Sequence, residues 1–154
     1  MLDFTYHTLV VLHIITAAAW FGLGLRLAGR ARTVTSLDAS AALALAKDGR
    51  RSVYLMNIFI GLTIVFSYAA FFIGGGFAAY HPAYHASLTL IIVLALVQFL
   101  VIWPGWKNLL GGLQNGEGAI DSSRKRVAIG TGVGHLLWLV ILLLMFWENF
   151  MGVL

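Results

Sequence analysis

The chain has 154 residues, of which 60% are hydrophobic and only 10% charged, and its mean hydropathy of +0.91 lies far above the range of soluble domains. Membrane spans use most of this length and leave no room for a separate soluble catalytic unit, while the lack of cysteine excludes disulfides, iron–sulfur clusters and thiolate chemistry. The formal charge of +4 comes from basic residues that flank apolar runs, which reads as topology rather than nucleic-acid binding.

The first apolar run covers about residues 5–29 and carries His7, His13 and Arg26. The segment before it, Met1-Leu2-Asp3-Phe4, lacks a basic n-region, so the run reads as a retained span rather than a signal peptide. Arg30, Arg32, Lys47, Arg50 and Arg51 follow, around an Ala/Leu stretch from Ser40 to Ala46 that is expected to form a short interfacial helix. The second span, about residues 52–73, ends in Gly74-Gly75-Gly76. The third, about residues 85–106, holds Pro104 near its end, and a Gly/Asn-rich turn at 111–118 leads to Arg124-Lys125-Arg126. The fourth span covers about residues 127–150. The expected fold is a single all-α membrane domain, a four-transmembrane-helix antiparallel up-and-down bundle in the lipid bilayer.

All ten Lys and Arg lie at the inner end of span one, in the first connection or in the third. The positive-inside rule then puts both basic segments in the cytoplasm and both termini outside, as expected of a bacterial inner-membrane protein. Asp3 and Glu148 fall at the outer face, and Tyr54, Tyr80, Trp103 and Trp106 near the aromatic belts.

Ionisable groups are costly in hydrocarbon, so histidines within spans are the candidates for chemistry. His13 lies about 12 Å below the outer boundary and His135 about the same distance above the inner one, a difference in depth of about 6 Å. Ala17, Trp20 and Gly24 share a face with His13, and Ala128, Thr131 and Gly132 share one with His135. Such stripes leave a groove for a haem plane beside axial ligands, and they also let helices pack closely. His85 opens the third span and is a rival partner for His13 in the outer half. Arg26 is placed to meet a propionate or to snorkel to the inner interface. His7 and Glu148, with Tyr68 and Tyr84, form a possible outer cluster that would deprotonate a quinol headgroup. His81 and His85, four residues apart, with His7 as a third ligand, are an alternative copper or zinc site. Gln98 lies deep in span three and requires a partner there, as do Asn57, Thr63 and Ser67 in span two.

The segment His13-Ile14-Ile15-Thr16-Ala17-Ala18-Ala19-Trp20-Phe21-Gly22, with Arg26 and Arg30 beyond it, resembles the first helix of the HemJ-type protoporphyrinogen oxidases and of related small four-helix proteins such as the CopD domain. The run from His85 through Ala86-Ser87-Leu88-Thr89-Leu90 is similar to the third helix of the HemJ type. The resemblance implies a b-type haem, with His13 and His85 as functional positions. The HemJ type carries Lys two residues after the third-helix His, and this chain has Ser87 there.

The leading expectation is a b-type haem membrane oxidoreductase that passes electrons between a quinone or porphyrinogen-like reductant and an acceptor. In it His13 is an axial ligand, His135 or His85 opposes it, Trp20 and Arg26 flank the cofactor, and His7 and Glu148 accept protons. The alternatives are a non-catalytic subunit or assembly factor docking on other membrane subunits, and the His-based metal protein.

Overall fold

Backbone N–H and C=O groups in a bilayer are satisfied only by pairing within the segment, which for a single-chain span means a helix. The structure, a computed structural model, describes residues 2–116, 118 and 120–152, and among them helices account for nearly everything. Helix α1 is Leu2–Leu25 and α2 Leu27–Thr33, followed by a 3-10 turn at Val34–Ser36; α3 is Ala39–Ile73. A second 3-10 turn, Gly76–Ala78, leads to α4, Pro82–Val97, which passes through a π-helix at Gln98–Ile102 into α5, Trp103–Asn115. Helices α6, Ile120–Met145, and α7, Trp147–Met151, complete the chain. Four helical stretches are long and apolar enough to cross a membrane: Asp3–Ser36, Ala39–Ile73, Pro82–Asn115 and Ile120–Met145. The protein is therefore an all-α integral membrane protein with four spans.

The second and third spans run beyond the limits read from hydropathy, and the fourth, expected over 127–150, begins earlier at Ile120 but ends at Met145, where the chain breaks before α7. The stretch from Ser40 to Ala46, expected as a separate interfacial helix, is the first part of α3, whose 35 residues extend about 52 Å against a hydrocarbon core of about 30 Å. Asp38 starts this helix early, since its carboxylate accepts the Ser40 and Ala41 N–H groups at 3.0 Å each. Span three likewise runs nine residues past Trp106 to Asn115. Of the turn at 111–118, residue 117 lies outside the described residues.

Outside, the bundle is apolar: Ile14, Val65, Ile129 and Leu136 are 58–66% exposed, as lipid-facing side chains are. Inside, α1 pairs with α3 and α4 with α6 along their lengths, while α2 and α5 fill the basic half of the bundle. Close approach there depends on glycines with a bulky group seated on each. A Cβ on Gly49 would lie 1.9 Å from the Trp106 ring, one on Gly24 2.7 Å from His135 Nε2, one on Gly130 2.9 Å from Val101, and one on Gly134 3.1 Å from Trp20. Trp106, expected at the interface, is instead buried at 1% exposure. Its indole N–H donates to the Ala46 carbonyl at 2.9 Å, because the extended α3 supplies a wall at this level.

Pro104 has no N–H to offer the Leu100 carbonyl four residues back. The ladder shifts to five-residue spacing across the π-helix, with the Trp103 N–H reaching the Gln98 carbonyl, and the Arg126 guanidinium on α6 donates to the Leu100 oxygen at 2.6 Å. Arg30 on α2 similarly clips α3, donating to Ser52 Oγ at 2.7 Å and pairing with Asp48 at 3.0 Å.

The Asp38 cap yields a pH-dependent prediction. Hydrogen bonds from Ala41 and Ser40 hold its carboxyl below the ordinary carboxylate range, so its stabilisation is complete above the unfolded pKa and is lost as pH falls through the folded one. Protection factors of the Ser40 and Ala41 amides, taken against the intrinsic exchange rate at each pH, should fall in acid in the parent protein and be low at all pH values in Asp38→Ala. Equal protection of these amides in parent and variant at neutral pH would show that the cap is not formed.

Candidate functional site

Towards the end of the bundle opposite the basic residues, the α1–α3 and α4–α6 pairs separate and enclose a cavity of about 450 Å³, within the range of small-molecule sites. Its walls come from all four spans: Val10, His13, Ile14 and Ala17 on α1, Ile60 and Thr63 on α3, Tyr84, Ile91 and Leu94 on α4, and Trp138, Ile141, Leu142 and Met145 on α6. A smaller recess of about 80 Å³ continues from His13 and Met145 to Tyr6, Ser67, Tyr80 and Ser87. Lys, Arg, Asp and Glu are absent from the described lining of both. Ile14 and Ala18 on α1, Leu142 on α6 and Phe146 just beyond it border the cavity while remaining exposed on the outer surface, so it opens sideways between α1 and α6, towards lipid.

Trp20 forms the floor. Its indole N–H donates to Gln98 Oε1 at 3.3 Å, and the Gln98 amide in turn donates to Asn57 Oδ1 at 2.7 Å. Gln98 is completely buried, and this chain of bonds supplies the partners that its depth demanded.

His13 is the polar centre of the wall. The Ser67 hydroxyl, which donates to the Thr63 carbonyl at 2.5 Å, lies 2.9 Å from His13 Nδ1, and Thr63 O lies 3.4 Å from the same nitrogen, so both present lone pairs to it. These acceptors suit the tautomer protonated at Nδ1, in which Nε2 keeps its lone pair. The i, i+4 spacing of Thr63 and Ser67 aligns both on one face of α3, and the Thr16 and Thr63 hydroxyls lie 3.0 Å apart beside them.

The other sequence-predicted residues are dispersed. His135 sits against Gly24, Phe21 and Trp20; Gly24 is eleven residues from His13, about 16 Å along α1, so the two rings do not face each other. The depth comparison missed this because each hydropathy boundary is uncertain by about a turn, and errors at the two ends add. The stripe residues Gly24 and Thr131 are occupied by helix packing, whereas Ala17 and Trp20 do border the cavity. His85 turns away from His13 and packs edge-on to Phe71 and beside Phe77, with ring centroids 5.8 and 5.2 Å away. Arg26 lies at the break between α1 and α2, exposed and about 20 Å along the helix from His13.

His7 pairs with Asp3 at 3.1 Å on the surface, and Glu148 is exposed, acting on Tyr84 through its charge. Neither borders the cavity. His81 caps α4, its Nδ1 accepting the Ala83 N–H at 3.3 Å, and among the described residues no three His, Asp or Glu converge as a metal site. The smaller recess is lined instead by Tyr6 and Tyr80, the Tyr80 hydroxyl donating to that of Tyr6 at 3.2 Å. Burial and the bond to Tyr6 push the Tyr80 phenol well above its usual pKa, so it stays protonated and a donor. Met145, Tyr6 and Tyr80 were missed as site residues by sequence reasoning, whereas Tyr84, expected in a cluster with His7, Tyr68 and Glu148, does border both recesses.

The floor yields a test. Replacing Gln98 by Ala strands the Asn57 amide and the Trp20 N–H and should lower stability in detergent by about 1–2 kcal/mol. Asn57→Ala in the same background should add less than it costs alone, as measured by thermal unfolding; fully additive losses would mean that the two side chains are not coupled. No protein-family model, curated protein or solved structure matches this chain.

Proposed function

We propose that this is a membrane redox protein whose outer cavity holds a b-type haem with His13 Nε2 as an axial ligand. The observation that carries the reading is the pair of oxygens around His13 Nδ1: a metal-ligating imidazole ordinarily donates its second N–H to a carbonyl or other acceptor, and Ser67 and Thr63 provide that arrangement beside an apolar cavity. The rest of the donor set fits one imidazole. Met145, which borders both recesses with His13, would offer a thioether as the second ligand, a His/Met set known for haem iron in general. Propionates would meet the Tyr6, Tyr80 and Tyr84 hydroxyls rather than Arg26. A bound haem would supply one-electron chemistry; the chain itself orients the imidazole, excludes water with its apolar walls and offers hydroxyl donors from the tyrosines of the adjoining recess.

The sideways opening towards lipid favours a second reading, in which a quinone headgroup enters from the bilayer and accepts a hydrogen bond from Tyr84 on the cavity wall while His13 Nε2 receives the quinol proton. The visible spectrum separates the two. The purified protein should give sharp α and β bands on dithionite reduction; His13→Ala should abolish the haem or convert it to high spin, Met145→Leu should shift the spectrum, and His81→Ala should leave it unchanged. A colourless parent protein that binds a quinone analogue would replace the haem reading with the quinone one, and an unaltered low-spin spectrum in His13→Ala would remove His13 as a ligand.

The orientation proposed with this function has the basic end in the cytoplasm and both termini outside, in a bacterial inner membrane. Cysteine introduced at Ser40 should resist a membrane-impermeant thiol reagent in intact cells, and cysteine at Ala79 should react. The reverse pattern would invert the topology.

A further inference from the structure

A second cavity, of about 320 Å³, lies at the basic end between α3 and α5, far from the His13 site. Its floor is the face of Trp106 and Trp103 with Val53 and Leu110, and its rim carries Arg50, Lys107 and Gln114. The floor exists because Trp106 lies flat over Gly49, where a Cβ would strike the ring. Gly111, also on the lining, has open space where its side chain would be.

Depth identifies what this groove meets. Arg50 stands 23 residues from the far end of α3 at Ile73, and Lys107 stands 25 residues from the start of span three at Pro82, about 35 and 37 Å. Both cations therefore sit just beyond a hydrocarbon core of about 30 Å, in the headgroup layer, while Val53 and Trp103 reach back into the acyl region. Among the described residues neither Arg50 nor Lys107 is engaged in an ion pair, in contrast to Arg30, Arg124 and Lys125. Two uncompensated cations and an amide above an aromatic floor, opening on the bilayer at headgroup depth, match an anion that carries an apolar tail.

We infer that this groove binds the phosphate of an anionic phospholipid from the leaflet at the basic end, with Arg50 and Lys107 on the phosphate, Gln114 on the headgroup and the acyl chain descending beside Val53 and Trp103. Basic recesses between spans are sites where anionic lipid headgroups are held. Binding here is independent of the cofactor at His13.

The full-length purified protein in neutral detergent should be titrated with phosphatidylglycerol, or with phosphatidylcholine, and retained lipid read by native mass spectrometry. One phosphatidylglycerol should be retained in preference to phosphatidylcholine. The Arg50→Gln/Lys107→Gln variant should weaken retention about thirtyfold, a factor of about five per charge, and Gly111→Leu should block it by filling the groove where there is space for the side chain. Arg50→Lys should keep it, and Arg51→Gln, outside the lining, should leave it intact. Equal retention of the two lipids, or full retention in Gly111→Leu, would overturn the inference. Displacement of the lipid by equimolar inorganic phosphate would overturn the phospholipid as the source and assign the groove to free phosphate.

Discussion

The indole of Trp20 decides where this bundle is closed and where it is open. In hydrocarbon its N–H has no water to turn to, and Gln98 on the third span is the acceptor, itself held by Asn57 on the second. That bond ties three spans at one level. On the basic side, rings seat on glycines and the helices close up; on the other side the two helix pairs part and leave the His13 cavity. A smaller residue at Trp20 would remove both the floor and the packing on Gly134.

A similar economy governs the third span. Pro104 would be a defect in an isolated helix, yet the Leu100 carbonyl that it leaves without its usual partner becomes the point at which Arg126 of the fourth span attaches. The π-helical turn it induces begins at Gln98, so the distortion that accommodates the proline coincides with the residue that fixes Trp20. Arg126 extends from the basic flank of α6 to a carbonyl in the span, as a long guanidinium side chain allows.

Much of this architecture was legible in the sequence. Four apolar runs and the confinement of basic residues to alternate connections give the spans and their antiparallel order, because transfer from water to lipid depends on composition and length, which a sequence states directly. The importance of His13 was legible for the same reason, since a histidine in mid-span must be satisfied by something. The identity of what faces it was not. Which residues share a level depends on the axial shift and rotation of one helix against another, and these are set by glycine contacts such as Gly24 with His135 and Gly49 with Trp106. A slip of two turns separates a supposed axial pair by about 11 Å. Helix ends were similarly hidden: the Asp38 cap and the projecting turns of α3 and α5 are stabilised by contacts outside the bilayer, where hydropathy has no say.

The gap between α1 and α6 carries its own thermodynamic consequence. A site reached from water is filled according to the aqueous concentration of its ligand, but this one faces acyl chains across Ile14, Ala18 and Leu142. Its occupancy is set by mass action within the two-dimensional bilayer phase, so a ligand that partitions strongly into lipid saturates the site even when nearly absent from solution. Diluting the membranes with excess lipid, at constant total ligand, would empty the cavity without any change in intrinsic affinity.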